Sequence, residues 1–217
     1  MTKQELIHDL YKKEKDLFDV TFSSFCVGEF NNPVFGEGNT NSVLMFVGEA
    51  PGAEETVQCR PFVGKAGKQL DQLLKIASIQ RDEIFVTNVV KYRPYTKNGE
   101  RKRNRTPSAR EIQLSVPLLK KEIETVHPKI IATLGNTPLK AIEIIFNLDS
   151  HKIGCVHGNC FFVNKEIKVF PLYHPASVIY NHSLEKSLND DIISLGKLYN
   201  SENEFGGSYG TENTYRR

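Results

Sequence analysis

Along the chain, short uninterrupted apolar runs alternate with longer stretches in which leucines return at helical spacing among charges. Ser42 to Gly48 (SVLMFVG), Ile84 to Val90 (IFVTNVV) and Lys129 to Gly135 (KIIATLG) have strand length and almost no polar face, as strands covered on both sides of a parallel sheet do. Val169 to Tyr173 is another such run, leading into His174-Pro175. Residues 2–18 (Leu6, Leu10, Leu17, Phe18), Gly67 to Ser78 (Leu70, Leu73, Leu74, Ala77), Pro107 to Val126, Thr137 to Phe146 and Leu184 to Tyr199 read as helices, with Pro107 near the first turn of its own. Phe161 to Val169 alternates around Asn164-Lys165 as a hairpin would. Apolar strands alternating with helices predict an α/β, three-layer αβα fold with right-handed crossovers. A single domain is expected over 1–200, its first 30 residues forming a helix and a loop. The Gly-, Ser- and Asn-rich tail 201–217 is expected to be disordered.

Composition adds exclusions. The 217 residues suit one domain, and a net charge of +2, from 28 basic and 26 acidic residues, gives by itself no case for a polyanionic partner. The distribution reverses that inference. Lys91, Arg93, Lys97, Arg101, Lys102, Arg103, Arg105 and Arg110 face a single acid, Glu100, so residues 91–110 carry +7 and the remainder −5. A block of that kind suits phosphate contacts. Cys26, Cys59, Cys155 and Cys160 form no Cys-x-x-Cys pair, which argues against a zinc knuckle or redox dithiol and for free thiols. No apolar run is long enough to span a bilayer, and the charged start MTKQELIHDLYKKEKDLF is unlike a secretory signal, so no membrane partner and a cytoplasmic location are expected.

In open parallel sheets, ligands gather at the carboxyl ends of the strands. Those ends here carry Gly48-Glu49-Ala50-Pro51-Gly52, Asn88, Gly135-Asn136 and His174-Pro175-Ala176-Ser177, so a carboxylate, an amide and an imidazole converge on one edge. The segment GEAPGAEE resembles a phosphate loop only in its glycines: Glu49, Glu54 and Glu55 would repel an anion, and no Lys-Ser or Lys-Thr follows.

The strings GEGNTNSVLMFVGEAPGAEE, RPFVGKAGKQLDQLL, TNVVKYRP, NRTPSAREI and YHPAS, in this order over residues 34–199, resemble the uracil-DNA glycosylase superfamily, closest to its family 4. The resemblance implies a mainly parallel four-stranded sheet and an enzyme that excises uracil from DNA, single- or double-stranded, as a monomer and without a catalytic metal. It assigns uracil stacking to Phe62, reading of the uracil edge to Asn88, stabilisation of charge on uracil O2 to His174, and orientation of water and the sugar cation to Glu49. Ala50 and Gly52 would line the base site, and Glu55 would approach uracil C5. Lys91, Arg93, Arg101, Lys102, Arg103, Arg105 and Ser177 would hold the DNA. Val178, Ile179 and Tyr180 fall where a minor-groove wedge is expected, although core packing accounts for Val178 and Ile179 equally well.

Two departures stand out. Family 4 members hold an iron–sulfur cluster through four cysteines, and here two of those positions are Tyr92 and Ser115, while Cys26 has no partner nearby. A cluster needs thiolates, so none is expected. The basic loop TKNGERKRNRTP has no histidine, which argues against the covalent chemistry of a related branch. Loss of the cluster leaves open whether the loop orders only on DNA, and whether the chain is a DNA-binding or interaction module with weak or no catalysis.

Overall fold

The computed structural model describes residues 1–21 and 32–206, and the side chains of all of these except 16–21, 179–180 and 205–206. Leu17, Phe18, Cys26 and the tail from 207 therefore lie outside the described residues or side chains. In chain order the elements are α1 (Lys3–Thr21), β1 (Glu37–Gly38), β2 (Leu44–Gly48), α2 (Ala53–Gln58), α3 (Lys65–Ile76), β3 (Phe85–Asn88), β4 (Tyr95–Asn98) and β5 (Arg101–Asn104). There follow α4 (Ala109–Val126), β6 (Ile130–Leu134), α5 (Asn136–Phe146), α6 (Ile153–Val156), β7 (Phe161–Phe162), β8 (Lys168–Leu172), α7 (Ser177–Tyr180) and α8 (Glu185–Gly206).

The expected parallel strands form the centre of the sheet, in the spatial order β3-β2-β6-β8. Two-residue antiparallel strands, β1 against β3 and β7 against β8, extend it to six. The second of these is the hairpin expected from Phe161 to Val169, whereas β1 is too short to leave a periodic trace in the sequence. Alternation along each strand divides the core. Leu44 and Phe46 point with Ile130, Ala132 and Leu134 toward α3 and α8, while Met45, Val47 and Ile131 point toward α1, α4 and α5. The order places a switch at β2, which is followed in the chain by a strand on one side and later by a strand on the other. Ligand crevices form at the carboxyl end of such a point.

Three expectations change. Ser108 rather than Pro107 starts α4, through a capping box in which its hydroxyl accepts from Glu111 N–H and Glu111 accepts from Ser108 N–H. The chain from Ser201 does not leave the fold at once: α8 runs to Gly206, and Lys129 and Lys168 hold Glu202 against the sheet. The basic loop is a hairpin, β4 paired with β5, turning through Gly99-Glu100 with Gly99 at φ 60, as two-residue hairpin turns require.

Lys91 is the largest correction. It is fully buried, its ammonium donating to Glu122 at 2.7 Å and to Thr87 Oγ1 and the Asn88 carbonyl at 2.6 Å each, so it cannot reach a phosphate. Tyr11 donates to the other Glu122 oxygen at 2.6 Å. Burial pushes the Lys91 ammonium below its ordinary pKa despite Glu122, and raises that of the Tyr11 phenol. The network joins α1, α4 and the end of β3. Among the described residues, no helix is long and apolar enough to cross a membrane. Glu122→Ala would leave a buried ammonium without its counter-charge, and urea denaturation is expected to show a loss of about 3–5 kcal/mol; a loss below about 1 kcal/mol would mean that Lys91 finds water or neutralises at little cost.

Candidate active site at the carboxyl edge of the sheet

All seven residues expected to catalyse or to bind the base (Glu49, Ala50, Gly52, Glu55, Phe62, Asn88 and His174) line one cavity of about 380 Å³ at the carboxyl edge. Such a volume suits a small flat ligand. Parallel pairing sets Gly48, the last residue of β2, beside Asn88, the last of β3. A Cβ on Gly48 would lie 2.4 Å from Asn88 Oδ1 and 2.6 Å from the Phe62 ring, so both groups lean over the bare strand end. Asn88 is 4% exposed, and among the described residues its side-chain amide has no hydrogen-bond partner, although its carbonyl is held by Lys91. A buried amide left open to a cavity is costly unless a ligand pairs with it.

Phe62 adopts φ 55, a left-handed conformation rare for an aromatic residue, which marks backbone held by its surroundings. Gly67 on α3 shows how it is held: a Cβ there would meet the Phe62 carbonyl oxygen at 1.9 Å. The Arg81 guanidinium lies 5.9 Å from the ring centroid.

His174 follows β8. Its Nδ1 lies 3.1 Å from the Ala176 N–H, and as acceptor there it leaves Nε2 to carry the proton of the neutral ring. Burial lowers its pKa from the ordinary histidine value, so the ring is neutral near pH 7. Glu49, just beyond β2, accepts from Thr137 Oγ1 at 2.5 Å.

Other assignments shift. Glu55 lines the cavity, and its carboxylate accepts from Gly64 N–H at 2.7 Å and Gly52 N–H at 3.1 Å, which also frames the loop around Gly52. Arg105 also reaches the cavity wall, with two hydrogen bonds to Glu111 at 2.7 and 2.8 Å. Arg93 donates to Asn104 Oδ1 at 2.7 Å and lies 5.7 Å over Tyr95; Lys102 lies 5.0 Å over the same ring. Arg101 and Arg103 are exposed on β5. Ser177 donates to the His174 carbonyl at 2.6 Å and shapes the turn after the histidine. Val178 packs on the core, in keeping with one of its two readings, whereas the side chains of Ile179 and Tyr180 lie outside those described. Asn104 and Thr137 were missed. Asn104 lines the cavity from the hairpin and stands in the NRTP string, a signal that was available; nothing local in the sequence marks Thr137.

Residues 35–193 match the family model of the uracil DNA glycosylase superfamily. The chain belongs to that superfamily. A type-4 uracil-DNA glycosylase from Sulfurisphaera tokodaii is 43% identical over 171 residues, 77% of this chain and 74% of that one. Those from Saccharolobus solfataricus and Archaeoglobus fulgidus are 38% identical over 175 residues (79% and 78% of the two chains) and 35% identical over 170 residues (77% and 82%).

Tyr92 and Ser115, at two of the four expected thiolate positions of this uracil-DNA glycosylase superfamily member, do not fit iron–sulfur ligation. The Tyr92 ring packs with Leu118, Leu114, Leu10, Tyr11 and Phe35, the last two stacked at 4.4 Å, and the Ser115 hydroxyl donates to the Glu111 carbonyl. Among the described residues, no group of three or more His, Cys, Asp or Glu converges as metal ligands.

The environment of His174 is open to direct measurement. Its ring resonances are expected to titrate with a midpoint below the ordinary histidine value. Because the unfolded chain takes up that proton more readily, the contribution to stability is complete above the ordinary value and is lost as pH falls from there toward the folded midpoint. A midpoint at or above the ordinary value would contradict the neutral ring.

Proposed function

We propose that this chain excises uracil from DNA by hydrolysing the N-glycosidic bond and leaving an abasic site. The observation that carries the reading is the Asn88 amide, buried, unpartnered among the described residues and open to the cavity beside Phe62. A base within a duplex is out of reach, so the nucleotide turns out of the stack into the cavity, at a lower cost from a single strand. Phe62 stacks on the ring. Asn88 accepts from uracil N3–H and donates to O4, a pairing cytosine does not offer.

As the C1′–N1 bond breaks, its electron pair passes to the base and its charge spreads onto O2. The Nε2–H of neutral His174 stabilises that charge without first having to lose a proton. The sugar becomes oxocarbenium-like beside the Glu49 carboxylate, which stabilises the cation and orients the water that adds to C1′. The water's proton leaves on addition, and the departing uracil anion takes up a proton as it goes. Around the mouth, Arg93 just before the β4–β5 hairpin and Arg101, Lys102 and Arg103 on it would contact phosphates, each neutralised phosphate steepening the salt dependence of binding. Ser177 would contribute from the turn after His174. The protein acts as a monomer.

With a uracil-containing oligonucleotide, base release followed by alkali is expected to cut the strand, and Asn88→Ala and Glu49→Ala should each lower the single-turnover rate by about 10²–10³-fold. Release from neither single- nor double-stranded substrate, together with salt-dependent binding indifferent to uracil, would leave a DNA-binding module instead. The Tyr92 and Ser115 environments further support a protein without a cluster. Protein purified without oxygen is expected to contain no stoichiometric iron and to show no visible absorption band; iron near four per chain would overturn this.

A further inference from the structure

We infer that Thr137 is the positioning residue that fixes the Glu49 carboxylate for the attack of water. The inference rests on the role proposed for Glu49 and adds what holds that side chain. Three observations carry it. The Thr137 hydroxyl donates to Glu49 Oε2 at 2.5 Å, and Thr137 is itself buried. The bond spans the switch point of the sheet, since Glu49 follows β2 and Thr137 begins the helix after β6, and these two strands are adjacent and parallel, with Val47 beside Thr133. Glu49 and His174 stand on a wall shared by the base cavity and a second cavity of about 410 Å³, and Thr137 lines only the second.

The turn that delivers Thr137 admits little freedom. Gly135, the residue before α5, has φ 97, and a Cβ there would come within 3.3 Å of His174 Cβ. The chain therefore passes close against the histidine and presents the hydroxyl in the first turn of α5. A glutamate side chain has three rotatable bonds, and at a strand end facing two cavities it could turn toward either. Fixing one oxygen removes that freedom and leaves the other oxygen for water. Misplacing a reacting group by an ångström costs on the order of 10²-fold in rate. Thr137 reaches the chemistry only through Glu49, so its loss should lower the rate of the chemical step and leave DNA affinity alone.

Thr137→Val keeps the shape and removes the hydroxyl. Single-turnover uracil release is expected to fall by about 10–100-fold, with half-saturating DNA concentration and melting temperature unchanged. Thr137→Ser, which restores the donor, should return most of the rate. In a Glu49→Ala background, Thr137→Val should add nothing. If Thr137→Val alters folding, Thr137→Ala against Thr137→Ser makes the same comparison. A normal rate for the valine variant while Glu49→Ala is impaired would overturn the positioning role alone. An undiminished Thr137→Val effect in the Glu49→Ala background, or an equal loss in the serine variant, would overturn it too. A normal rate for Glu49→Ala would remove the role of Glu49 and the inference together.

Discussion

The absence of a side chain at the end of β2 governs the pocket. Gly48 lies where the Asn88 amide and the Phe62 ring meet, and any Cβ there would overlap both. The two groups arrive by different routes. Asn88 is brought by the parallel register of neighbouring strands, and Phe62 by a left-handed turn that α3 clamps through Gly67. A slot of fixed width for a flat ring is thus a packing result, set by close contact on both sides and not by any attraction to a base.

Behind the slot, the Lys91–Glu122 pair ties the Asn88 backbone to α4, and Tyr11 ties α1 to the same carboxylate. Burying such a pair brings little net stability compared with an apolar replacement. Its effect is selective: Tyr11, Thr87 and Lys91 all bond to Glu122, and the arrangement that pairs them fixes the Asn88 backbone. The Tyr11, Phe35 and Tyr92 rings, with Leu118, pack beside it where the family resemblance places a cluster. In this chain, apolar contact and one buried ion pair join the same helices to the strand end.

The four parallel strands and most helices were legible because burial on two faces or on one stripe leaves a period in the chain, and the strand-end residues of the pocket were legible because the topology sends them to one edge. What was lost depends on pairings that no local period records. Lys91 counted as part of a basic surface because its partner lies on α4, distant in sequence. Residues 95–104 have no apolar alternation, so only Asn98-Gly99 hinted at the hairpin. Glu55 lines the cavity, and its oxygens serve two backbone amides that become neighbours only when α2 and the start of α3 fold together. Thr137 acquires meaning only beside Glu49.

The pairings also decide the electrostatics of the site. Of the three glutamates lining the cavity, Glu54 is exposed on α2, Glu55 is bound by two amides, and Glu49 faces the reacting region with one oxygen fixed by Thr137. His174 is neutral and Asn88 uncharged, so in the proposed reaction a base leaving with negative charge would meet N–H donors, while the cationic sugar would meet the carboxylate. Lys65 at the start of α3 and Arg105 after β5 also line the cavity, Arg105 paired with Glu111, while Arg101, Lys102 and Arg103 sit on the hairpin, where phosphates would lie. Burial of Lys91 against Glu122 keeps a further ammonium out of that lining, so the Glu49 carboxylate would keep more of its field for a bond that breaks into an anion and a cation.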